Sequence, residues 1–217
     1  MTSKSKEVLK KYWNYDDFRP GQLEIIENIL QKKDVLALLP TGGGKSICYQ
    51  VPALVLDGLT LVVSPLIALM KDQVSQLNKR GIKAAAIYSS MHSRTIDITL
   101  DNAVYGSIKL LYVSPERLKT ELFIERFKKM NINFIAIDES HCISQWGYDF
   151  RPAYLEIDKI RKIKTNIPVA AFTATATKAV IEDIQEKLSF PKANVIRQSF
   201  HRKNLSFTVI KSDHKEP

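Results

Sequence analysis

A glycine-rich turn that ends in a lysine and a serine is the segment of this sequence with the clearest chemistry. Residues 40–46 read Pro-Thr-Gly-Gly-Gly-Lys-Ser and directly follow the apolar run 35–39. Glycines allow backbone N–H groups to approach phosphate oxygens, and a helix that begins there directs its positive end at them. The sequence therefore predicts a nucleotide phosphate site between a strand and a helix. The residues expected to line it are Thr41, Gly42, Gly43, Gly44, Lys45 and Ser46.

Roles within this turn follow from charge and from metal preference. Lys45 is expected to meet the β- and γ-phosphates, and the Ser46 hydroxyl is expected to bind Mg²⁺, which needs few protein oxygens. The strict pattern G-x-x-x-x-G-K-[ST] is not met, because Leu39 occupies the first glycine position. A glycine-rich hairpin with an accidental lysine is the alternative, but it explains neither the strand before the turn nor the hydroxyl after it.

A pair of acids supplies the second half of the predicted site. Asp138 and Glu139 directly follow the apolar run 134–137. Asp138 could hold Mg²⁺ through water, and Glu139 could orient or deprotonate the water that attacks the γ-phosphate. An acidic pair at a strand end is usually a solvated turn, but the glycine turn about 90 residues upstream favours the functional interpretation.

The elements that would position these residues alternate along the chain. Short, nearly continuous apolar runs are separated by stretches with helical spacing, which predicts an α/β fold with a mostly parallel central sheet and helices on both faces. The predicted strands are 35–39, 60–64, 84–88, 108–113, 134–138, 169–173 and 195–197. Two helical stripes are predicted to be core, namely Leu23, Ile26, Ile29 and Leu30, and then Leu66, Leu69, Met70, Val74 and Leu77.

Composition limits the classes of protein that remain. The chain has 217 residues, 45% of them hydrophobic, which is enough for one large domain. No apolar run approaches the roughly 20 residues of a membrane span, so no membrane partner is expected. Cys48 and Cys142 match no metal or redox spacing, which predicts free buried thiols. The net charge of +9 favours polyanionic partners about as strongly as it favours a merely soluble basic surface.

Residues 138–141, Asp-Glu-Ser-His, resemble the D-E-x-H box of superfamily 2 helicases. His141 alone would be read as a core or surface histidine, but the resemblance implies a catalytic relay between the γ-phosphate and the nucleic-acid loops. The segment Phe-Arg-Pro-Gly-Gln that ends at Gln22 is similar to the adenine-recognition motif of RecQ helicases. There Gln22 pairs with the adenine edge, while Arg19 and Tyr15 flank the nucleotide. The resemblance implies a RecA-like P-loop NTPase domain that uses ATP and Mg²⁺.

The most specific likeness to RecQ proteins is the aromatic-rich loop 141–152, His-Cys-Ile-Ser-Gln-Trp-Gly-Tyr-Asp-Phe-Arg-Pro. Trp146, Tyr148 and Phe150 offer flat faces to unstacked bases, and Arg151 adds positive charge. A core cluster is the alternative for these aromatics, and the interleaved glycine and polar residues weigh against it. Tyr148 stands where many relatives carry histidine, which keeps stacking but changes any hydrogen bond made there.

Three further segments are similar to motifs that contact DNA or couple it to ATP. Ser64 and Pro65 open a segment, residues 64–66 with 70–73, that resembles the motif along the DNA backbone, and residues 114–118 resemble the next such contact. Thr173 and Thr175 resemble a threonine-rich motif that couples the ATP site to DNA. An ordinary helix N-cap at one of these two threonines is the alternative.

The likeness covers residues 12–205, so we expect a helicase ATP-binding domain at 1–205. Residues 206–217 are expected to start the connection to a second RecA-like domain. In the family that second lobe supplies an arginine that stabilises the transferring phosphate, and zinc is bound only in later regions. The resemblance implies 3′-5′ unwinding of duplex DNA in repair and recombination. Without the second lobe, this chain is expected to bind ATP weakly, hydrolyse it poorly and unwind nothing.

The implied partners are single-stranded and duplex DNA, with single-strand-binding and repair proteins as further partners of a monomer. The expected location is the cytoplasm, at the nucleoid, in a bacterium and the nucleus in a eukaryote. Two alternatives stay open. One is a binding module without turnover, against which Lys45, Asp138 and Glu139 argue. The other is an RNA helicase of the D-E-A-D class, against which the aromatic-rich loop and residues 18–22 argue.

Overall fold

The apolar runs of the sequence form one seven-stranded sheet in which every strand pairing is parallel. The computed structural model describes residues 2–198 and Thr208. Its strands are β1 (Val35–Leu38), β2 (Leu59–Val63), β3 (Ala84–Ile87), β4 (Leu110–Val113), β5 (Ile132–Ile137), β6 (Val169–Thr173) and β7 (Val195–Arg197). Their order across the sheet is β3-β4-β2-β5-β6-β1-β7.

Helices precede the sheet and connect its strands. Those of the described residues are α1 (Thr2–Trp13), α2 (Gln22–Leu30), α3 (Lys45–Val55), α4 (Ile67–Lys79), α5 (Ser93–Tyr105), α6 (Glu121–Lys129), α7 (Glu156–Ile163) and α8 (Lys178–Lys187). Short 3₁₀ turns occupy Pro115–Lys119, Ser140–Ile143 and Pro152–Leu155. Within residues 2–198, every helix is too short or too polar to cross a membrane.

Side chains alternate across the sheet and build a separate core on each face. One core joins α2, α3 and α4 to strand residues such as Phe134 and Phe172. The other joins α5, α6, α7 and α8 to strand residues such as Ile135 and Ile137. Helix α1 packs outside α2 and α3 through Leu9. Because both faces are covered, strands β1, β2, β4 and β6 are buried along their whole length.

A buried ion pair ties together the amino-terminal ends of three strands. Asp34 lies just before β1, pairs with Arg161 of α7 and accepts the backbone N–H of Val169, the first residue of β6, at 2.8 Å. Asn194, just before β7, donates its amide to the Asp34 carbonyl at 2.8 Å. Since both charges are largely buried, removing either partner would leave the other uncompensated.

The fold prediction is confirmed. All seven predicted strands are present, with ends that differ by at most two residues, and the sheet is wholly parallel in the described residues. The core prediction for Leu66 is wrong: it precedes α4 and is 48% exposed, because α4 buries only the face that carries Met70 and Leu77. The predicted boundary at residues 205 and 206 lies outside the described residues.

Shortening a buried side chain on a central strand should destabilise this fold strongly. We expect Ile135→Ala, which truncates a fully buried side chain of β5, to lower the free energy of unfolding by about 2–5 kcal/mol, because it leaves a cavity that the sheet cannot close. Urea unfolding followed by circular dichroism measures this. The matched control is Ile98→Ala on α5, where the side chain is exposed and the loss should stay below about 1 kcal/mol. Equal losses would contradict the assignment of β5 to the core.

Candidate functional site

The predicted site residues meet at the carboxyl ends of neighbouring strands. The glycine turn follows β1, the acidic pair follows β5, and Thr173 ends β6, which lies between those two strands. In parallel α/β sheets, ligands bind outside the carboxyl ends of the strands, where the connecting loops meet. The fold therefore brings together segments that lie far apart in the sequence.

The glycine turn has the backbone geometry that a phosphate loop needs. Gly42 and Gly44 have φ values of 78° and 79°, a region that side chains disfavour. The Gly43 N–H donates to the Pro40 carbonyl at 2.8 Å, and Gly44 is the N-cap of α3. The Leu39 N–H donates to the Thr173 carbonyl at 3.1 Å, so the residue in the first glycine position continues the strand pairing and leaves the turn intact.

The adenine-motif residues hold this turn from the other side. Arg19 donates from Nη1 to the Gly42 carbonyl at 2.7 Å. Gln22 donates from Nε2 to the carbonyls of Gly43 and Gly44, both at 3.2 Å, and its Oε1 accepts the Arg19 N–H at 2.9 Å. Two of the three predicted adenine residues are thus fastened to the phosphate loop. The third, Tyr15, is 54% exposed, with its ring available to a ligand.

Lys45 and Glu139 form an ion pair across this edge of the sheet. Their Nζ and Oε1 atoms are 3.3 Å apart, and both side chains are largely buried. Glu139 itself has a φ of 48°, a left-handed conformation that costs a non-glycine residue about 1–2 kcal/mol. Strain of this kind persists where the surroundings hold it and is common at functional sites.

Asp138 is a buried carboxylate with few polar partners. It is 8% exposed, and burial raises the pKa of its carboxyl above the ordinary value, with the Glu139 charge adding to the rise and Lys45 opposing it. Ser64 donates its hydroxyl to Asp138 Oδ2 at 3.5 Å, and Tyr154 donates to the Asp138 carbonyl at 2.9 Å. Ser64, predicted as a DNA-side residue, is therefore buried behind the acid, whereas Pro65 is partly exposed.

The oxygen donors at this edge suit Mg²⁺. Both predicted ligands act on the hydroxyl of Tyr49, Ser46 through a hydrogen bond and Asp138 through its charge. Both are hard oxygen donors of the kind that Mg²⁺ prefers. A carboxylate whose charged form is disfavoured by burial also gains from a dication beside it.

His141 contacts both halves of the site. Its Nδ1 lies 3.0 Å from Thr173 Oγ1 and 3.3 Å from Glu139 Oε2. Burial lowers the pKa of His141, while Glu139 and Asp149 oppose the shift. Since a carboxylate only accepts hydrogen bonds, the neutral ring carries its proton on Nδ1. The residue predicted as a relay is thus bonded to an acid of the box and to the threonine at the end of β6.

The aromatic-rich loop follows directly and is open on its outer side. Trp146 is 77% exposed and Tyr148 is 79% exposed, which excludes a core role for these two rings. Tyr148 stacks on the ring of His141, with centroids 4.7 Å apart. Phe150 is partly buried and lies under Lys187, whose Nζ is 5.8 Å from the ring centroid. A cavity of about 540 Å³ opens between this loop and residues 175–177.

The threonine-rich segment closes that cavity. Thr173 is buried at the end of β6 and donates to the Thr175 carbonyl at 3.2 Å. The alternative of an N-cap at Thr173 or Thr175 is excluded, because Thr177 caps α8 and its hydroxyl accepts the Val180 N–H. The Thr173 hydroxyl instead contacts His141, since β6 ends at Thr173 and α8 begins only at Lys178.

Cys142 lies in a cluster that the sequence did not predict. Both cysteines are free and buried as predicted, but Cys142 Sγ lies 3.8 Å from His141 Nε2 and donates to Asp149 Oδ2 at 3.6 Å. Arg151 donates twice to the same carboxylate oxygen, at 3.2 and 3.0 Å. Asp149 therefore already has a cation partner, and burial raises the pKa of the Cys142 thiol to about 12, so the thiol is protonated at neutral pH.

Sequence reasoning missed the buried tyrosines behind the site. Tyr49 lies beneath Ser46, and Tyr154 bonds the backbone of Asp138. Spacing offered a signal for Tyr49, which follows Ser46 by three residues on α3 and so lies on the same helix face. Tyr154 gave none, because its partner lies 16 residues away in an irregular segment.

The glycine at position 44 should be required for nucleotide binding. A Cβ there would lie 2.3 Å from Gln22 Nε2 and would sit on a positive φ. We expect Gly44→Ala to lower the free energy of unfolding by about 1–2 kcal/mol and to weaken ATP-analogue binding at least tenfold. The control is Gly81→Ala, which has a similar φ and open space around its Cβ. It should show the stability loss alone, and equal binding loss in both variants would contradict the contact with Gln22.

Burial of Asp138 predicts a pH-dependent cost to stability. A carboxyl whose pKa is higher in the folded state stabilises the fold fully below its unfolded pKa and loses that contribution as pH rises through the folded pKa. We therefore expect Asp138→Asn to unfold at the same urea concentration as wild type in acid and at a higher one near neutral pH, while Mg²⁺-nucleotide affinity falls. If Asp138→Asn were less stable than wild type near neutral pH, burial would not be the main influence on the pKa of Asp138.

Comparison with known sequences identifies the family. The family model described as DEAD/DEAH box helicase matches residues 19–184. The chain is 43% identical to the ATP-dependent DNA helicase RecQ of Bacillus subtilis, covering 100% of this chain and 37% of that protein. It is 40% identical to ATP-dependent DNA helicase Q1 of Rattus norvegicus, covering 96% of this chain and 35% of that protein. The resemblance to RecQ helicases is confirmed, over about a third of the length of those relatives.

Solved structures share the fold at lower identity. The DEAD-box helicase Mss116, bound to ssRNA and UDP-BeF, matches with a TM-score of 0.70 and 19% identity, over 92% of this chain and 44% of that one. The DUF1998 helicase MrfA, bound to DNA, matches with a TM-score of 0.69 and 18% identity, over 90% of this chain and 29% of that one. These likenesses show the architecture of a helicase core. On the match across residues 19–184, the chain belongs to the DEAD/DEAH box helicase family.

Proposed function

We propose that this chain is the ATP-binding lobe of a DNA helicase motor of the RecQ kind. The observation that carries the proposal is the position of the glycine turn opposite the acidic pair, with Lys45 Nζ 3.3 Å from Glu139 Oε1. The names of similar proteins support an action on DNA, since the relatives from Bacillus subtilis and Rattus norvegicus are both called ATP-dependent DNA helicases.

The residues of the phosphate loop would hold the triphosphate. Backbone N–H groups of residues 41–46 and the positive end of α3 favour phosphate oxygens, and Lys45 would exchange its bond to Glu139 for the β- and γ-phosphates. To pair with the adenine edge, the Gln22 amide would exchange its bonds to the Gly43 and Gly44 carbonyls for bonds to the base, while the exposed ring of Tyr15 can stack on the base. Arg19 is also bonded to the loop, so base binding would be coupled to the phosphate loop.

Mg²⁺ would be held by Ser46 directly and by Asp138 through water, and when bound it supplies positive charge that stabilises the transferring phosphate. Glu139 would then be free of Lys45 and could orient or deprotonate the attacking water. His141 contacts both Glu139 and Thr173 through its Nδ1 atom. Movement of Glu139 on nucleotide binding would therefore change the contacts of the loop that begins at residue 141.

The aromatic-rich loop would meet the nucleic acid. Trp146 and Tyr148 present exposed rings on which bases can stack, a contact worth about 1–3 kcal/mol per base. Arg151 is held by Asp149, which fixes its direction while leaving part of the side chain exposed. Single-stranded and duplex DNA are the proposed partners. Translocation and unwinding would need a second lobe that supplies the arginine implied by the resemblance to RecQ helicases.

Two other functions are distinguishable from this one. A binding module without turnover would keep nucleotide affinity yet have no use for Glu139, whose strained backbone and bond to Lys45 favour a catalytic role. An RNA helicase would share the ATP chemistry, and the DEAD-box protein Mss116 is described with ssRNA bound. The aromatic-rich loop and the high identity to DNA helicases favour DNA.

Two variants that should each lose a different affinity test the proposal. With a fluorescent ATP analogue and labelled single-stranded DNA, we expect Lys45→Ala to weaken nucleotide binding at least tenfold, because a charge-assisted bond to phosphate is lost. That variant should keep its DNA affinity. Trp146→Ala should weaken DNA binding about 5- to 150-fold through lost stacking and should keep its nucleotide affinity.

The control for Trp146→Ala is Tyr105→Ala, which removes an exposed aromatic ring from α5 and should change neither affinity. RNA of the same sequence is titrated in parallel. A preference for RNA that Trp146→Ala leaves intact would favour the RNA helicase, and nucleotide binding without any nucleic-acid binding would favour the binding module. Loss of neither affinity in Lys45→Ala would exclude the proposed ATP site.

A further inference from the structure

A chain of buried polar groups runs from the phosphate loop to helix α4, and the proposed mechanism does not use it. It starts at Ser46, passes through the hydroxyls of Tyr49 and Tyr112, and continues through Gln50 to Gln73. Tyr49, Gln50 and Tyr112 are buried, and burying such groups costs free energy unless each finds a partner. Their presence in an otherwise apolar core therefore calls for a function.

The two tyrosines lie directly behind the metal ligands. Tyr49 is on α3, one turn after Ser46, and its hydroxyl bonds the Ser46 hydroxyl. Tyr112, on β4, donates its hydroxyl to the Tyr49 hydroxyl at 3.5 Å. Burial raises the pKa of both phenols, and the Asp138 charge adds to both shifts. Both hydroxyls therefore stay protonated and lie within electrostatic reach of the acid that would hold Mg²⁺.

The amide of Gln50 sets the direction of the hydrogen bonds. Its Nε2 can only donate, and it donates to Gln73 Oε1 at 2.8 Å and to the Tyr112 hydroxyl at 3.1 Å. Tyr112 therefore accepts from Gln50 and gives its own proton to Tyr49. The hydrogen bond with Ser46 favours the charged form of Tyr49, so Ser46 is its donor and Tyr49 its acceptor. With its proton directed to Tyr49, the Ser46 oxygen keeps its lone pairs for a cation.

Packing fixes the rings that carry these hydroxyls. Tyr49 meets Tyr112 edge to face at 6.5 Å and Phe172 at 5.5 Å between ring centroids. Such aromatic pairs stabilise the ring positions in addition to the free energy gained from burial. The far end of the chain, Gln73, lies on α4, in the segment that resembles the motif along the DNA backbone. The polar chain thus links a metal ligand to a helix on the proposed nucleic-acid side.

We propose that Tyr49 and Tyr112 are positioning residues that orient the Ser46 hydroxyl for Mg²⁺ and connect it, through Gln50, to Gln73 of α4. The proposal rests on the function proposed for the ATP site. It goes further by assigning the strength of Mg²⁺-nucleotide binding to groups that touch neither the nucleotide nor the metal. An ordinary buried polar cluster would contribute to stability alone.

The test measures how much Mg²⁺ strengthens nucleotide binding. The affinity for a fluorescent, non-hydrolysable ATP analogue is determined with Mg²⁺ and with EDTA, and the ratio of the two is the Mg²⁺ gain. We expect Tyr49→Phe to lower the gain about tenfold, because one hydrogen bond to the ligand is lost, with little change in EDTA. Tyr112→Phe and Gln73→Leu act through Tyr49 and should lower the gain about threefold.

The matched control is Thr60→Val, which removes a buried hydroxyl bonded to Asn133 at 2.8 Å at the opposite end of β2. It should lower the melting temperature and leave the gain unchanged. Gains within twofold of wild type in both tyrosine variants would overturn the proposal. A loss confined to Tyr49→Phe would overturn the connection to α4. If Tyr49→Phe does not fold, the Mg²⁺ gain of Tyr112→Phe alone decides whether the proposal holds. If wild type binds the analogue without any Mg²⁺ gain, the proposed metal site itself is wrong.

Discussion

The ion pair between Lys45 and Glu139 joins two segments that lie 94 residues apart in the sequence. It can form because β1 and β5 run in the same direction on either side of β6, so that the loops after them leave the same edge of the sheet. Every other feature of the site is arranged around this juxtaposition. The adenine residues brace the glycine turn from one side, and the histidine and aromatic loop continue from the acid on the other.

Several parts of the site are unfavourable for stability when considered singly. Gly42 and Gly44 adopt positive φ values, Glu139 does so with a full side chain, and Asp138 is a carboxylate held out of water. The cores on the two faces of the sheet and the ion pair between Asp34 and Arg161 supply the rigidity that holds these features. A site of this kind gives up some stability for function, as strained and buried groups at active sites commonly do.

The geometry also provides a short series of contacts between the proposed nucleotide site and the proposed DNA surface. His141 bonds the Glu139 carboxylate and Thr173, and its ring is covered by Tyr148 of the exposed loop. A shift of Glu139 would change the contacts of a ring that is itself stacked on the proposed DNA surface. On the opposite side, the polar chain through Tyr112 reaches α4. Two separate sets of contacts therefore lead away from one phosphate site.

Local pattern alone was sufficient for the fold class, and it singled out the residues of the candidate site. Continuous apolar runs predicted all seven strands, because strands covered on both faces must be apolar throughout. The glycine turn and the acidic pair were predicted to form a site because phosphate and Mg²⁺ favour particular residue types at strand ends, and the fold brings Lys45 and Glu139 together. Leu66 was misplaced because helical spacing does not show where a helix begins or which neighbours cover it.

Contacts between distant segments were decided by the tertiary structure. The sequence gives no sign that Ser64 would turn inward to Asp138, or that Thr173 would bond His141 while Thr177 caps the helix. Nor does it show that Tyr112, on a strand far from the glycine turn, completes a hydrogen-bonded chain to Ser46. Spacing determines which residues share a helix face or a strand end, because those periods are local. Which faces and ends then meet depends on strand order and packing, which only the folded chain fixes.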